Sequence, residues 1–460
     1  MLTEGDRTLG HRLAGEWLEV RGEGDARVLA EHFEKGGDGP GAGRHYLRAA
    51  QQGNWRGGAL EAADLARRGL ALPLPGELRV HLLGALCETA IWRPDIAASV
   101  QDEAEELMQA VPRGSAPWVQ GVAVRLSGAS VVGNAEEILA VVGKLKQVDV
   151  APDAVFPMVV ALGLATYALE MEGRASEGDA LHSRLEEIAG TVEGQSPVTM
   201  CFIGLSTAGR EARKNNPVGH LELAREGQEL ARQCGHQRME IIATLAVAMS
   251  LWCLGARDEA ERMLQALPLS DSEFGYASAY RPFVLAWLLA DRGEAGEARG
   301  LATHLVTSGR ARGLPADEGR GRWVLAEVLR RAGEHEAADR EIEAALALLG
   351  ATVPLDVPGV LATKAALRLA QGKPEEALAA AEEGMARQAA MKMHDHFFRS
   401  SFLRLVHIES LDANGRHDEA RAALADARDR LLTIAAQITD PGQQKSFFED
   451  VPENRRLFEL

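Results

Sequence analysis

Aromatic residues make up only 5% of this 460-residue chain, which argues against a platform for stacking bases or sugar rings. Positive charge is short too: 50 Lys and Arg face 67 Asp and Glu, a formal net charge of -17. The summed field repels phosphate backbones and anionic headgroups, so neither nucleic acid nor a membrane surface is an expected partner. Cysteine is sparse, and Cys87, Cys201, Cys234 and Cys253 form no C-x-x-C pair. They read as small buried hydrophobes in a reducing compartment, not as a zinc site or a disulfide frame. The longest apolar run, Val155 to Leu169, contains Pro157 and Gly163 and falls short of the ~18 residues a membrane span needs. Met1 to Gly15 is polar and charged, unlike a signal peptide, so the expected location is the cytoplasm.

What is abundant is Ala, Leu, Glu and Arg at helical spacing, with few alternating β-branched runs, and the fold class is therefore all-α. Among basic residues Arg far exceeds Lys, a composition of high-GC bacterial genomes. A repeat is visible in the second half. Gly255, Gly293, Gly333, Gly372 and Gly415 each precede, by five residues, Ala260, Ala298, Ala338, Ala377 and Ala420. Seven residues before four of these glycines stand Ala248, Ala286, Ala326 and Ala365, and four before three of them Leu251, Leu289 and Leu329. Glycine suits the left-handed residue that closes a helix, Ala a close helix contact, and Leu the seam between helices. Carried backward, the period of about 40 residues meets weaker turns at Lys214–Pro217, Gly173, Gly133–Asn134, Arg93–Pro94 and Gly53–Gly58. About ten helix pairs result, and the three domains that length alone suggests give way to one α-solenoid.

Residues Thr3 to Val20 form an expected amphipathic helix with Leu9, Leu13, Trp17 and Val20 on one face, which needs a cover. Three parts are expected: an N-terminal helical segment over 1–35, a repeat array over 36–438 and a C-terminal cap over 439–460, where Phe447, Phe448, Val451, Leu457 and Phe458 close the last hydrophobic face.

The Ala248, Gly255 and Ala260 columns and their copies resemble the tetratricopeptide repeat (TPR), at a period longer than its usual ~34 residues. The segments LAEHFEKGGDGPGAGRHYLRAA (29–50) and ITDPGQQKSFFEDVPENRRLFEL (438–460) resemble regions of bacterial Ser/Thr protein kinases in which a kinase domain and an AAA-type ATPase module precede a C-terminal array. The resemblance implies a right-handed superhelix and, as one possible partner, an upstream kinase or ATPase domain. No kinase or ATPase motif is carried by this chain: Gly143-Lys144-Leu145 lacks both the first Gly and the Ser/Thr of a phosphate loop.

Chemistry-bearing clusters are few. His394-Asp395-His396 is the one dense set of metal-ligand types, but residues two apart on a helix point about 200° apart. Pairs such as Glu105-Glu106 and Glu186-Glu187 read as solvated helix faces, and Ser206, Ser250 and Ser278 have no nucleophile-elbow context. The expectation is no enzyme, no metal and no cofactor. Side chains that helix packing does not require gather instead at Tyr276, Tyr280 and Arg281, at Arg320, Arg322 and Trp323, and at Phe397 and Arg399. On first helices of their pairs they would line a concave groove, as Tyr, Trp and Arg do in interfaces; the competing reading makes the aromatics ordinary core. The leading expectation is a noncatalytic interaction or scaffold module of a bacterial signalling system, holding a neutral or basic peptide or partner domain. The alternative is a small-molecule sensor, its pocket in the irregular first half.

Overall fold

The computed structural model describes every residue except 1–2, 56–57, 192–195, 268–274 and 392–398, and it leaves the side chains of Trp55, Arg213 and residues 275–278 undescribed. Among the described residues there are 25 α-helices and no strand. Helices α1 (Glu4–Val20) and α2 (Ala26–Lys35) precede the pairs. These begin with α3 (Gly39–Trp55) and α4 (Ala59–Leu70), followed by α5 (Gly76–Ala90) with α6 (Pro94–Ser99) and α7 (Gln101–Ala110). Next come α8 (Ala116–Val132) with α9 (Ala135–Gln147), α10 (Val155–Met171) with α11 (Ala175–Ala189), and α12 (Pro197–Arg213) with α13 (Pro217–Gln233). The regular half comprises α14 (Gln237–Cys253) with α15 (Arg257–Ala266), α16 (Gly275–Arg292) with α17 (Ala295–Ala311), and α18 (Pro315–Arg331) with α19 (His335–Thr352). It continues through α20 (Val357–Ala370) with α21 (Pro374–Ala390) and α22 (Ser400–Ala413) with α23 (His417–Ala435), and is followed by α24 (Pro441–Glu449) and α25 (Pro452–Glu459).

The turn columns have the structure their chemistry predicts. Gly255, Gly293, Gly333, Gly372 and Gly415 all have left-handed φ between 70° and 85°. The following N–H groups of Ala256, Glu294, Glu334, Lys373 and Arg416 donate back to the carbonyls of Leu251, Leu289, Leu329, Arg368 and Leu411, the Schellman closure of a helix end. Asn215 takes the same left-handed place at φ 56°, and the Asn216 N–H donates to the Glu211 carbonyl. The Ala columns are buried: Ala248, Ala286, Ala326 and Ala365 on first helices, and Ala260, Ala298, Ala338, Ala377 and Ala420 on second helices. Each pair is thus a TPR-like unit, with small residues where two backbones approach.

One expectation needs correction. Pro157 does not interrupt α10, because it lies in the first turn, where its missing N–H has no partner to lose. With the 3-10 turn Pro152–Ala154 before it, the stretch Pro152–Met171 is 20 residues long with mean hydropathy 1.7, enough by length and composition to cross a membrane. Its Met158, Val159, Ala161, Leu162 and Leu169 are fully buried, as in a core helix. A second departure is the split of one second helix into α6 and α7 at Val100, beside which the Gln101 side-chain amide donates to the carbonyls of Ala97 and Val124.

Contacts divide the chain into two compact units, Met1–Gly128 with Gln147–Ala161 and Leu269–Ser278, and Ala129–Lys146 with Leu162–Pro268 and Ala279–Leu460. In the first, Tyr46 is buried beneath the Arg68 guanidinium, 4.8 Å from its ring, and Arg68 is paired with Glu34 at 2.8 Å. In the second, pairs far apart in sequence touch. The Gly133 turn lies against the Ala351 carbonyl, the Gly173 turn against Met391, and the Gly255 turn against the Ser446 carbonyl of α24. The last residues also cap this unit: Phe447, Val451 and Leu457 are buried, whereas Phe458 is 40% exposed.

Candidate functional site

The period of 40 residues aligns the inward faces of α16 and α18. On α16 the face is Tyr280, Phe283, Trp287 and Asp291; on α18 it is Arg320, Trp323, Glu327 and Arg331, each 40 residues on from its counterpart. Steps of three and four hold each set on one stripe. Side by side, they make an aromatic layer flanked by ionic ones. Trp287 and Trp323 meet edge-on with centroids 5.3 Å apart, and Phe283 lies 6.1 Å from Trp323. The Trp323 indole N–H donates to Thr363 Oγ1 at 3.0 Å, and Gly359 leaves room for that indole, since a Cβ there would collide with it.

At one end of the stripe, Arg320 pairs with Asp356 at 2.7 Å and lies 5.0 Å over the Tyr280 ring. Burial opposes the charge on Arg320, but Asp356 together with the Tyr280 and Tyr167 side chains more than offsets it and holds the guanidinium protonated. Here α10 reaches across: the Tyr167 and Tyr280 hydroxyls are 3.4 Å apart, and Arg320 Nη2 is 3.4 Å from Met171 Sδ. At the other end, the buried Asp291 carboxylate faces Arg257 at 3.1 Å, Arg331 at 2.9 Å and Arg399 at 3.7 Å. Glu327 has no exposed side-chain surface and binds Arg330 at 2.8 Å and Arg331 at 2.7 Å. Burial pushes its carboxyl up, yet the Arg331 and Arg330 guanidiniums hold it well below the usual carboxylate range.

Arg399 is the least satisfied member. It starts α22 in the left-handed region, at φ 57°, a strained conformation for a residue with a Cβ. Its side chain is 3% exposed and its guanidinium stacks on Trp287 at 4.2 Å and Phe402 at 4.4 Å, while Nε and Nη1 have no hydrogen-bond partner among the described residues. Cavities of about 30 and 50 Å³ flank it, the larger also reached by Arg257, Asp291, Ser400 and Ser401. Each has room for a few waters.

The sequence-predicted residues thus separate. Arg320, Trp323 and Arg399 are buried together, and Tyr280 joins them from α16. Arg281 is partly buried, and its Nε has no hydrogen-bond partner among the described residues. Arg322 points elsewhere, pairing with Glu318 at 2.7 Å and Glu341 at 2.5 Å. Tyr276 lies on α16 with its side chain outside the description, and Phe397 and His394-Asp395-His396 lie outside the described residues. The open groove pictured from sequence is, at Arg320, Trp323 and Arg399, a packed interior. Sequence reasoning missed Asp291, Glu327, Trp287 and Asp356; the 40-residue offset that pairs Asp291 with Arg331 and Trp287 with Glu327 was the signal available.

No family model matches the chain, and no curated protein does. Solved structures do. A Rap protein complexed with competence and sporulation factor is 13% identical, with 79% of this chain and 98% of that chain covered at a TM-score of 0.47. Yeast Tom70 is 11% identical over 99% of this chain and 96% of that chain at a TM-score of 0.38. Aspartyl phosphate phosphatase F from Bacillus subtilis is 11% identical over 80% and 94%, also at 0.38. The helix-pair repeat itself stands on this chain's own Schellman turns and buried Ala columns.

Proposed function

We propose that this chain is a noncatalytic protein-interaction module, acting in a bacterial cytoplasmic signalling setting, and that a peptide or partner domain docks outside the packed interior and reaches Arg399 through the two small cavities beside it. The observation that supports this most is Arg399: a buried cation that faces Asp291 at 3.7 Å, has two donor nitrogens without a hydrogen-bond partner among the described residues, and is held in a strained backbone conformation between two small cavities. Such a group gains from an inserted acceptor, because an unmet buried donor carries its full desolvation penalty. A backbone carbonyl can supply that acceptor without an added negative charge, which suits a partner that is neutral or basic overall, as the net charge of -17 favours. Cavities of about 30 and 50 Å³ are far below the ~300 Å³ at which small-molecule pockets begin, so the sensor reading gains nothing from them.

The test is affinity capture from source-cell extract with the intact chain. A stoichiometric partner is expected with the wild type, and at least a tenfold lower recovery with Arg399→Gln at unchanged helical circular dichroism. A chain that recovers no stoichiometric partner contradicts the proposal.

A further inference from the structure

Helix α1 has two opposite faces. Gly15 is buried on one, where it lies against His32 and Phe33 of α2, with His11 and Leu18 partly covered beside it. The other carries Leu9, Leu13, Trp17 and Val20, which are 57%, 55%, 59% and 87% exposed. They form one stripe at steps of four, four and three. Together they expose roughly 400 Å² of apolar surface, the size at which a patch marks an interaction site.

We propose that this stripe is the contact surface of a symmetric homodimer, in which α1 of one copy packs antiparallel on α1 of a second copy. The argument is self-complementarity. A two-fold axis near Ala14 sends Leu13 of each copy between Leu13 and Trp17 of the other, and Leu9 between Trp17 and Val20. The apolar residues therefore interleave instead of colliding. Both flanks match in charge under the same operation. Arg12 and Glu16, which share one flank and pair within the helix at 3.2 Å, come opposite Glu16 and Arg12 of the second copy. On the other flank Asp6 comes beside Arg21, whose guanidinium lies 5.4 Å over the Trp17 ring. A two-fold interface needs this kind of patch, one surface complementary to itself. The four apolar residues supply about half of the ~800 Å² per partner of a standard interface, with the flanking charges adding area. An interface of this size belongs to the small, transient class, so the dimer is expected to be reversible.

Sedimentation velocity on the intact chain, from about 1 to about 100 μM, tests this. A concentration-dependent shift from the 49.4 kDa monomer to twice that mass is expected. Leu13→Asp should weaken the dimer at least tenfold without changing the melting temperature, since Leu13 is exposed within the chain. Arg12→Glu should weaken it as well, and Arg12→Glu with Glu16→Arg should restore it. In a Cys234→Ser background, oxidation should cross-link Leu13→Cys to itself and leave Val20→Cys uncrosslinked. A chain that stays monomeric throughout, a dimer indifferent to Leu13→Asp, or self-crosslinking at Val20→Cys would overturn the proposal.

Discussion

Glu327→Ala is expected to destabilise the second unit by about 3–5 kcal/mol, the usual result of removing one member of a buried ion pair. The carboxylate is wholly buried between Arg330 and Arg331, and Arg331 also serves Asp291 and the Ala290 carbonyl. Removing it leaves two guanidiniums and one remaining acid, Asp291, which Arg257 and Arg399 already share. The lost packing is a minor part of the effect, so Glu327→Gln should be nearly as damaging. Denaturant unfolding followed by tryptophan fluorescence reads it directly, because Trp287 and Trp323 lie one helical turn away on the same two helices. Glu336→Ala, at an exposed position on α19, should stay within about 0.5 kcal/mol of the wild type.

Gly133→Ala is expected to cost about 3 kcal/mol or more, against about 1 kcal/mol for Gly333→Ala. Both glycines close a first helix with positive φ, at 66° and 77°, so both substitutions meet the left-handed backbone penalty of about 1–2 kcal/mol. At Gly333 nothing lies within 4 Å of an added Cβ. At Gly133 the Cβ would run into the Ala351 carbonyl oxygen at the end of α19, and only a backbone shift relieves that contact. Thermal melts of the two variants compare a turn that closes its own helix pair with one that also supports a distant pair. Equal destabilisation would mean that the Gly133 turn has no such neighbour.

The fold was legible wherever one helix pair suffices to explain a residue. Gly293, Gly333, Gly372 and Gly415 have no other group within 4 Å of an added Cβ and act only in closing their own helices, and a period of about 40 residues exposes them with the two Ala columns and Leu251, Leu289 and Leu329; that Gly255 also abuts Ser446 left no such trace. Asn215 was harder to read, because it takes the left-handed place without being Gly, yet the cluster Lys214–Pro217 still marks its turn. The candidate site was legible only in part. Tyr280, Arg320, Trp323 and Arg399 stood out as side chains that helix packing does not require, but whether they line an open groove or fill an interior depends on how far the array curves. Curvature is the sum of small rotations between pairs, and no single position carries it. For the same reason the partners reached across the unit, Met171 with Arg320 and Asp291 with Arg399, had no signature at the repeat period.

The central claim is that distant helix pairs of the second unit pack directly on one another and so close the interior around Arg399. A disulfide tests it. A Cβ built on Gly173 lies 3.6 Å from the Cβ of Met391, inside the 3.5–4.5 Å range a disulfide requires. Gly173→Cys with Met391→Cys, in a Cys234→Ser background, should oxidise to one intramolecular bond, seen by mass spectrometry as the loss of two hydrogens and of both alkylation sites. Two thiols that remain free, and alkylate as fast in the double variant as in each single one, would contradict the packed interior.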